Sequence, residues 1–314
     1  MNAASPLSPA DARRALEQVV AAASTIVLGK SHALRLAVTC LVAGGHLLLE
    51  DLPGVGKTTL AQALARLLGL SYQRLQCTSD LLPADVIGVS VYDRNDGSFR
   101  FHEGPVFTQV LLADEINRAT PRAQSALLEA MEERQVSVDG KAMPLPAPFF
   151  VIATQNPVEQ VGTYPLPESQ LDRFLMRLSL GYPDRAAERE LLAGQDRRSL
   201  LTELKPVLDT VCLRQLQASV EAVHVAEPWL DYLQNLLQRS RELPALSHGL
   251  SPRAGLALQR AARAWALLNG RGHALPEDLK AVLPAVVAHR LSLRSDSDSA
   301  QAVAESLLLA VPVP

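Results

Sequence analysis

The apolar positions of this chain change period several times, and each change predicts an element. "HLLLE" at residues 46–50 is a short unbroken apolar run, as expected of a strand buried on both faces. A glycine-bearing loop follows. Leu60, Leu64, Leu67 and Leu68 then fall on one helical face, with Gly69 where a C-terminal cap belongs, which predicts a helix over residues 58–68. Two helices are predicted before the strand, over roughly residues 9–23 and 31–44, separated by "STIVLGK". "YQRLQC" reads as a second strand. "VIGVSVYDRNDGSFRFH" reads as a hairpin, with valines alternating before an Asp-Gly turn and Phe99 and Phe101 alternating after it.

"VFTQVLLADE" is a continuous apolar run that ends in two acids, the pattern of a strand inside a parallel sheet. Thr120 and Pro121 supply an N-cap and a first-turn proline for a helix over residues 121–134. "RQVSVDGKAMPL" is a second hairpin with Asp-Gly at its tip. "FFVIATQN" is a further buried strand, and "LMRLSLGYP" holds the last. Strands alternating with helices predict a mostly parallel α/β sheet.

The pattern changes after Gly181, Tyr182 and Pro183. From Asp184, an N-cap candidate, only helical spacing remains. It is clearest in "SPRAGLALQRAARAWALLNG", where Ser251 caps, Pro252 opens the first turn and Gly270 ends the helix. Ala254, Leu258, Ala261, Trp265 and Leu268 mark its inner face, and "SDSDSA" further on is a short polar turn. We therefore expect two domains: an α/β domain over residues 1–182 and a smaller all-helical one over residues 183–314.

Composition narrows the classes. Hydrophobic residues make up 48% of 314 residues and aromatics only 4%, so the core is built from Leu, Val and Ala. A formal charge of −3 leaves no broad cationic field for nucleic acid. Cys40, Cys77 and Cys212 are too scattered for a disulfide framework or a zinc site. The N-terminus has no apolar signal core, and no stretch reaches the ~20 apolar residues of a membrane span. A cytoplasmic protein without membrane insertion is expected.

Candidate chemistry sits at the strand ends. "LLEDLPGVGKTTLA" approximates the phosphate-loop pattern G-x-x-x-x-G-K-[ST], with Asp51 where the first glycine belongs. In such a loop, backbone N–H groups and a helix N-terminus surround phosphate oxygens. Gly54 and Gly56 allow close backbone approach, Lys57 neutralises the β/γ-phosphates, and Thr58 offers its hydroxyl to Mg²⁺. Asp51 removes none of these, and its carboxylate is expected to point away from the phosphates. "VLLADE" brings Asp114 and Glu115 to the edge of the sheet where ligands bind in open α/β folds. Asp114 suits magnesium and Glu115 the activation of water. Taken alone, such a pair also suits a solvated loop. Asn156 in "ATQNP" could orient a water or simply form an Asn-Pro turn. Arg173 in "QLDRFL" and Arg253 in "SPRA", each taken alone, resemble ordinary surface arginines.

In this order, the set resembles AAA+ ATPases, and closely the MoxR family. The stretches that carry it are the phosphate loop, "RLQCTSDLLPADVIG", "GPVFTQVLLADEINRATPRAQSALLEAMEERQVSVDG", "VIATQNPVEQVGTYPLPESQLDRF" and "SPRA". The resemblance runs from about Val27 to the "VPVP" end and is most specific over residues 104–174. It implies a P-loop AAA+ domain with helices on both faces of the sheet and two hairpin insertions, followed by a helical lid. It implies ATP contacts from Pro53, Gly54, Val55, Gly56, Lys57, Thr58 and Thr59, with Val27 and Gly29 in the segment on the adenine and Mg²⁺ at Thr58 and Asp114. Lys57 and Thr58 match Walker A, Asp114 and Glu115 match Walker B with Glu115 the catalytic acid, and Asn156 matches sensor 1. Arg173 matches the arginine finger that reaches a neighbouring subunit's γ-phosphate, and Arg253 the sensor 2 arginine at the start of a lid helix.

The resemblance further implies a homo-oligomeric ring, typically a hexamer, that remodels or matures partner proteins, often one with a von Willebrand factor A domain. Closure of the lid through Arg253 and a hinge near Pro183 is then expected to drive ring movement. The rivals are a nucleic-acid motor, a metal-insertion subunit like the ATPase of magnesium chelatase, and a nucleotide-dependent scaffold with little turnover. A motor would want basic hairpin tips, but "YDRNDGSFR" and "VSVDGKAM" are nearly balanced in charge.

Overall fold

The structure is a computed structural model that describes residues 5–95, 97–157, 162–194, 197–295 and 299–313. Residues 1–4, Asp96 of the expected Asp-Gly turn, residues 158–161 and 195–196, residues 296–298 of the expected "SDSDSA" turn, and Pro314 lie outside the described residues. Two helices, α1 (Pro9–Ser24) and α2 (Ser31–Val42), precede β1 (His46–Glu50). There follow α3 (Lys57–Leu67), β2 (Tyr72–Gln76), α4 (Pro83–Ile87) and a hairpin of β3 (Gly88–Asp93) and β4 (Ser98–Glu103). Next come β5 (Val110–Asp114), α5 (Pro121–Glu133), a hairpin of β6 (Gln135–Val138) and β7 (Lys141–Pro144), β8 (Phe150–Gln155), α6 (Glu168–Leu171) and β9 (Phe174–Leu178).

Strands β1, β2, β5, β8 and β9 form one all-parallel sheet in the order β2-β5-β8-β1-β9. Alternate residues of its central strands serve different layers, because a strand's side chains point to opposite faces. Leu47, Leu49, Val110, Leu112, Phe150 and Ile152 pack with the helices α1 to α3. Leu48, Leu111, Ala113, Val151 and Ala153 pack with α5 through Ala123, Leu127 and Met131. The unbroken apolar runs of the sequence are the consequence: both faces of the sheet are covered.

Beyond β9 the chain continues as α7 (Arg185–Ala193), α8 (Arg197–Glu203), α9 (Thr210–Ala222), α10 (Glu227–Glu242), β10 (Leu246–His248), α11 (Pro252–Leu268), α12 (Pro276–Val287), β11 (Ser292–Leu293) and α13 (Ala300–Ala310). The expectation of helices alone here needs correcting, since β10 and β11 form a short antiparallel ladder. Strands of three and two residues are too short to carry a readable alternation. Capping follows the sequence: Asp184 caps α7 and Ser251 caps α11 through their side chains. The α11 face holding Leu258, Ala261 and Leu268 belongs to the same apolar core as Leu34, Leu41 and Met176, so this helical part is fused to the sheet layer.

Candidate active site

Three adjacent strands, β5, β8 and β1, end side by side. The loop after β1 turns through Gly54 at φ 82° and Gly56 at φ 96°, the latter capping α3. A Cβ at either glycine would meet nothing within 4 Å, so the glycines are needed for the left-handed backbone and leave open space above the loop. That space is a cavity of about 280 Å³ lined by Pro53, Gly54, Gly56, Lys57, Thr58, Thr59, Asp114, Glu115, Thr154 and Asn156. It abuts a more apolar cavity of about 450 Å³, whose wall includes Ile26, Val27, Val55, Tyr182, Pro183 and Leu192. The expected phosphate and adenine residues thus come together from two ends of the domain. Gly29 does not line the cavity. It adopts φ 68°, and a Cβ there would stand 2.9 Å from Ala187 Cβ, so its role is close packing against α7.

Lys57 Nζ reaches back to three main-chain carbonyls, those of Asp51, Leu52 (3.3 Å) and Gln155 (3.2 Å). Burial pulls its ammonium below the usual lysine range, opposed by the Asp51, Asp114, Glu115 and Glu50 carboxylates. Neutral carbonyls hold the charge weakly, so an anionic phosphate would displace them. Thr58 Oγ1 lies 3.4 Å from Asp114 Oδ2. A hydroxyl and a carboxylate at this spacing are hard oxygen donors of the kind Mg²⁺ takes, directly or through its waters. Asp114 is itself buried and fixed: Thr154 Oγ1 donates to Oδ1 at 2.6 Å, and Arg74 donates to Oδ2 through Nη2 at 2.6 Å and Nε at 3.1 Å.

Glu115 follows with φ 58°, a conformation that costs a non-glycine residue energy and is commonest at functional sites. Its amide donates to Thr154 Oγ1 at 2.8 Å. Its Oε2 accepts from Gln76 Nε2 at 3.1 Å and from Arg118 Nη1 at 2.9 Å. Arg74, Gln76, Arg118 and Thr154 were missed in reading the sequence. Arg74 and Gln76 did carry a signal: two polar residues at strand spacing, on one face of "YQRLQC" in an otherwise apolar sheet.

Arg173 and Arg253 are elsewhere. Arg173 immediately precedes β9, whose first residue Phe174 pairs with His46 at the start of β1. The phosphate loop leaves the other end of β1, and a five-residue strand is about 16 Å long. Arg173 Nη1 donates to the Leu128 carbonyl of α5, and its Nε lies 4.0 Å from Glu132 Oε2. Arg253 joins the same cluster, with Nη2 at 2.8 Å from Glu132 Oε1 and Nη1 at 3.6 Å from Asp172 Oδ2. Asp172 also accepts from Arg290 Nε at 2.7 Å. Arg253 thus stands with Arg173, at the edge of the sheet opposite the phosphate loop of its own chain. Glu132, Asp172 and Arg290 gave no sequence signal, because four separate segments meet there.

Residues 46–176 match the model of the ATPase family associated with various cellular activities (AAA), and residues 238–307 match the AAA lid domain. The chain is 40% identical over 293 residues to Chaperone MoxR1 of Mycobacterium tuberculosis, covering 90% of this chain and 77% of that protein. It is 44% identical to the uncharacterized protein YeaC of Bacillus subtilis, over 92% of each. A crystal structure of an ATPase candidate from Cytophaga hutchinsonii superposes with a TM-score of 0.87 at 34% identity, covering 98% of this chain and 97% of that one.

Proposed function

We propose, for a chain that belongs to the MoxR-type AAA+ ATPases, that ATP is hydrolysed between subunits of a ring and that the cycle remodels a protein partner. The observation that carries this reading is the separation of two half-sites. The phosphate cavity lies at one edge of the sheet, and Arg173 with Arg253 at the other. Only a second subunit can bring such arginines to the γ-phosphate, and head-to-tail contacts of that kind close into rings. A hexamer is the expected size.

Within each site, Gly54, Gly56 and the N-terminus of α3 hold the phosphates, and Lys57 leaves its carbonyl partners to pair with them. Thr58 and Asp114 hold Mg²⁺, which when bound neutralises charge on the β- and γ-oxygens. Glu115, released from Gln76 and Arg118, accepts a proton from the attacking water, and Asn156 orients that water. Arg173 and Arg253 of the next subunit stabilise the charge that develops on the γ-phosphoryl group. The division at residues 182 and 183 belongs to the same reading. The chain is taken to work in the cytoplasm, and among the described residues no helix is long and apolar enough to cross a membrane.

The partner is taken to be a protein with a von Willebrand factor A domain. Support comes from the MoxR relatives and from the β3–β4 hairpin, which exposes Val89, Val91, Tyr92 and Phe99 on a protein with no excess of cations. The test is a pull-down with Glu115→Gln, which should retain such a protein with ATP and release it with ADP. Steep, salt-dependent DNA binding that stimulates hydrolysis, with no protein retained, would favour a nucleic-acid motor instead.

A further inference from the structure

The phosphate-loop motif has one irregular position, and its side chain is committed elsewhere. Asp51 is 8% exposed, and the phosphate cavity is lined only from Pro53 onward. Asp51 Oδ2 accepts from Ser179 Oγ at 2.8 Å, from the Leu180 amide at 2.6 Å and from the Gly181 amide at 2.6 Å. Oδ1 accepts from the Leu52 amide at 2.8 Å. Burial pushes this carboxyl up, but the Gly181 amide, the Ser179 hydroxyl and the Leu52 and Leu180 amides together hold it below the usual carboxylate range. The contacts are therefore charge-assisted at neutral pH, the stronger kind of hydrogen bond. A glycine could make none of the side-chain bonds and would leave three amides, those of Leu52, Leu180 and Gly181, seeking partners.

The three residues held in this way begin the linker between β9 and α7. Gly181 turns the chain at φ 62°. Tyr182 and Pro183 then form part of the apolar cavity wall, and the Tyr182 carbonyl accepts from Lys30 Nζ at 2.5 Å. The main chain of Asp51 faces the opposite way, since its carbonyl is a partner of Lys57 Nζ. One residue thus touches the phosphate-seeking lysine through its backbone and the linker through its carboxylate.

We propose that Asp51 is a positioning residue that clamps the β9–α7 linker to the root of the phosphate loop, so that filling the phosphate cavity sets the position of the linker. The proposal rests on reading this loop as the nucleotide site. When Lys57 turns from the Asp51 carbonyl to a phosphate, the Asp51 peptide is freed on one side. Its carboxylate carries the shift to the Leu180 and Gly181 amides, and so to the wall that meets the base and to α7.

Because a nucleotide would touch the linker directly, the test uses magnesium tripolyphosphate, which fills the phosphate cavity and leaves the base side empty. In the wild type, hydrogen exchange should slow on adding it both in residues 52–60 and in residues 179–184. In Asp51→Ala the loop should still respond and the linker should not, with kcat for ATP down at least about tenfold and KM within about threefold. Asp51→Asn keeps an acceptor oxygen without the charge and should fall between. Should Asp51→Ala not fold, Ser179→Ala, which removes one neutral donor, should weaken the linker response in part. An unchanged linker response in the Asp51 variants, or a protected loop with a silent linker in the wild type, overturns the clamp alone. Protection of neither region in the wild type removes the nucleotide-site reading and the clamp with it.

Discussion

The two edges of the sheet are built by different rules. At the edge that holds the phosphate cavity, Lys57, Thr58, Asp114, Glu115 and Asn156 each lie within two residues of a strand end or at a helix start. Each is placed by the strand or helix it ends or begins. At the opposite edge, Arg173, Arg253 and Arg290 come from three segments and are joined only by Glu132 and Asp172. The first edge is a self-contained pocket. The second is a set of cations on shared carboxylates beside a cavity of about 430 Å³ that has no glycine loop among its described walls. On the reading proposed above, each chain would contribute half of a site at each edge.

That comparison is broken most severely by Lys57→Ala, which should abolish ATP binding, because among the described residues no other cation lines the phosphate cavity. Titration with a fluorescent ATP analogue checks it. Arg173→Ala should instead bind ATP normally and lose on the order of 10³-fold or more in steady-state hydrolysis, as arginine fingers do. Loss of binding in this variant would place Arg173 in its own subunit's pocket. Glu115→Gln should also bind normally and turn over at least ~100-fold more slowly, as expected when a water-activating base is lost. Equal loss of binding in Lys57→Ala and Glu115→Gln would remove the role given to Glu115.

Two arginines of the second edge sharpen the picture, because they share Asp172 and differ in burial. Arg290 is 5% exposed and donates to Asp172, to its carbonyl and to those of Phe174, Leu175 and Val286. Arg290→Ala removes the short partner of Asp172, leaving it only Arg253 at 3.6 Å, and takes a buried donor from several carbonyls, so it should cost about 3–5 kcal/mol in urea unfolding. Arg253 is 55% exposed, so Arg253→Ala should cost no more than about 1 kcal/mol while lowering ATPase activity in the assembled ring. If Arg253→Ala unfolds the subunit and leaves turnover intact, Arg253 is structural.

Much of the first edge was legible because strand ends and glycine loops report on themselves locally. Helices α1, α2, α3, α5 and α11 and strands β1, β2 and β8 were predicted within a few residues from apolar period and capping residues. The long run "VFTQVLLADE" was read as one strand, yet only Val110–Asp114 pairs, and Thr108 and Gln109 instead bond to Ser71. The long-range placements were not legible. Arg253 carries an arginine's local signal and nothing that says which end of the sheet its helix covers. That depends on α11 and α12 packing onto α2 and β9, a tertiary choice made by the whole apolar face. Asp51 does not line the cavity, and its carboxylate's linker partners lie some 130 residues along the chain.

The smaller, acid-linked effect also falls on the second edge. His46, at the start of β1, is buried with Nδ1 accepting from the Val151 amide and Nε2 facing the Met131 carbonyl, and burial lowers its pKa to about 4. His289, against the Phe174 carbonyl and beside Arg290, is lowered as well, first by burial. For a depressed histidine, the unfolded chain takes up the proton first. Stability is therefore full above the ordinary value near 6.5 and is lost as pH falls toward the folded value. For His46 the window from about 6.5 to about 4 is worth roughly 3 kcal/mol. Urea midpoints should fall across it, and His46→Gln should flatten the slope. A midpoint independent of pH there would mean the imidazole is not held neutral.

The central claim is that the two edges of different subunits complete one site, and mixing tests it most directly. Lys57→Ala and Arg173→Ala preparations should each be inactive. Mixed under conditions where subunit exchange is shown separately, they should recover ATPase activity, because some interfaces then pair an intact loop with an intact Arg173. Exchange without any recovery would contradict the account.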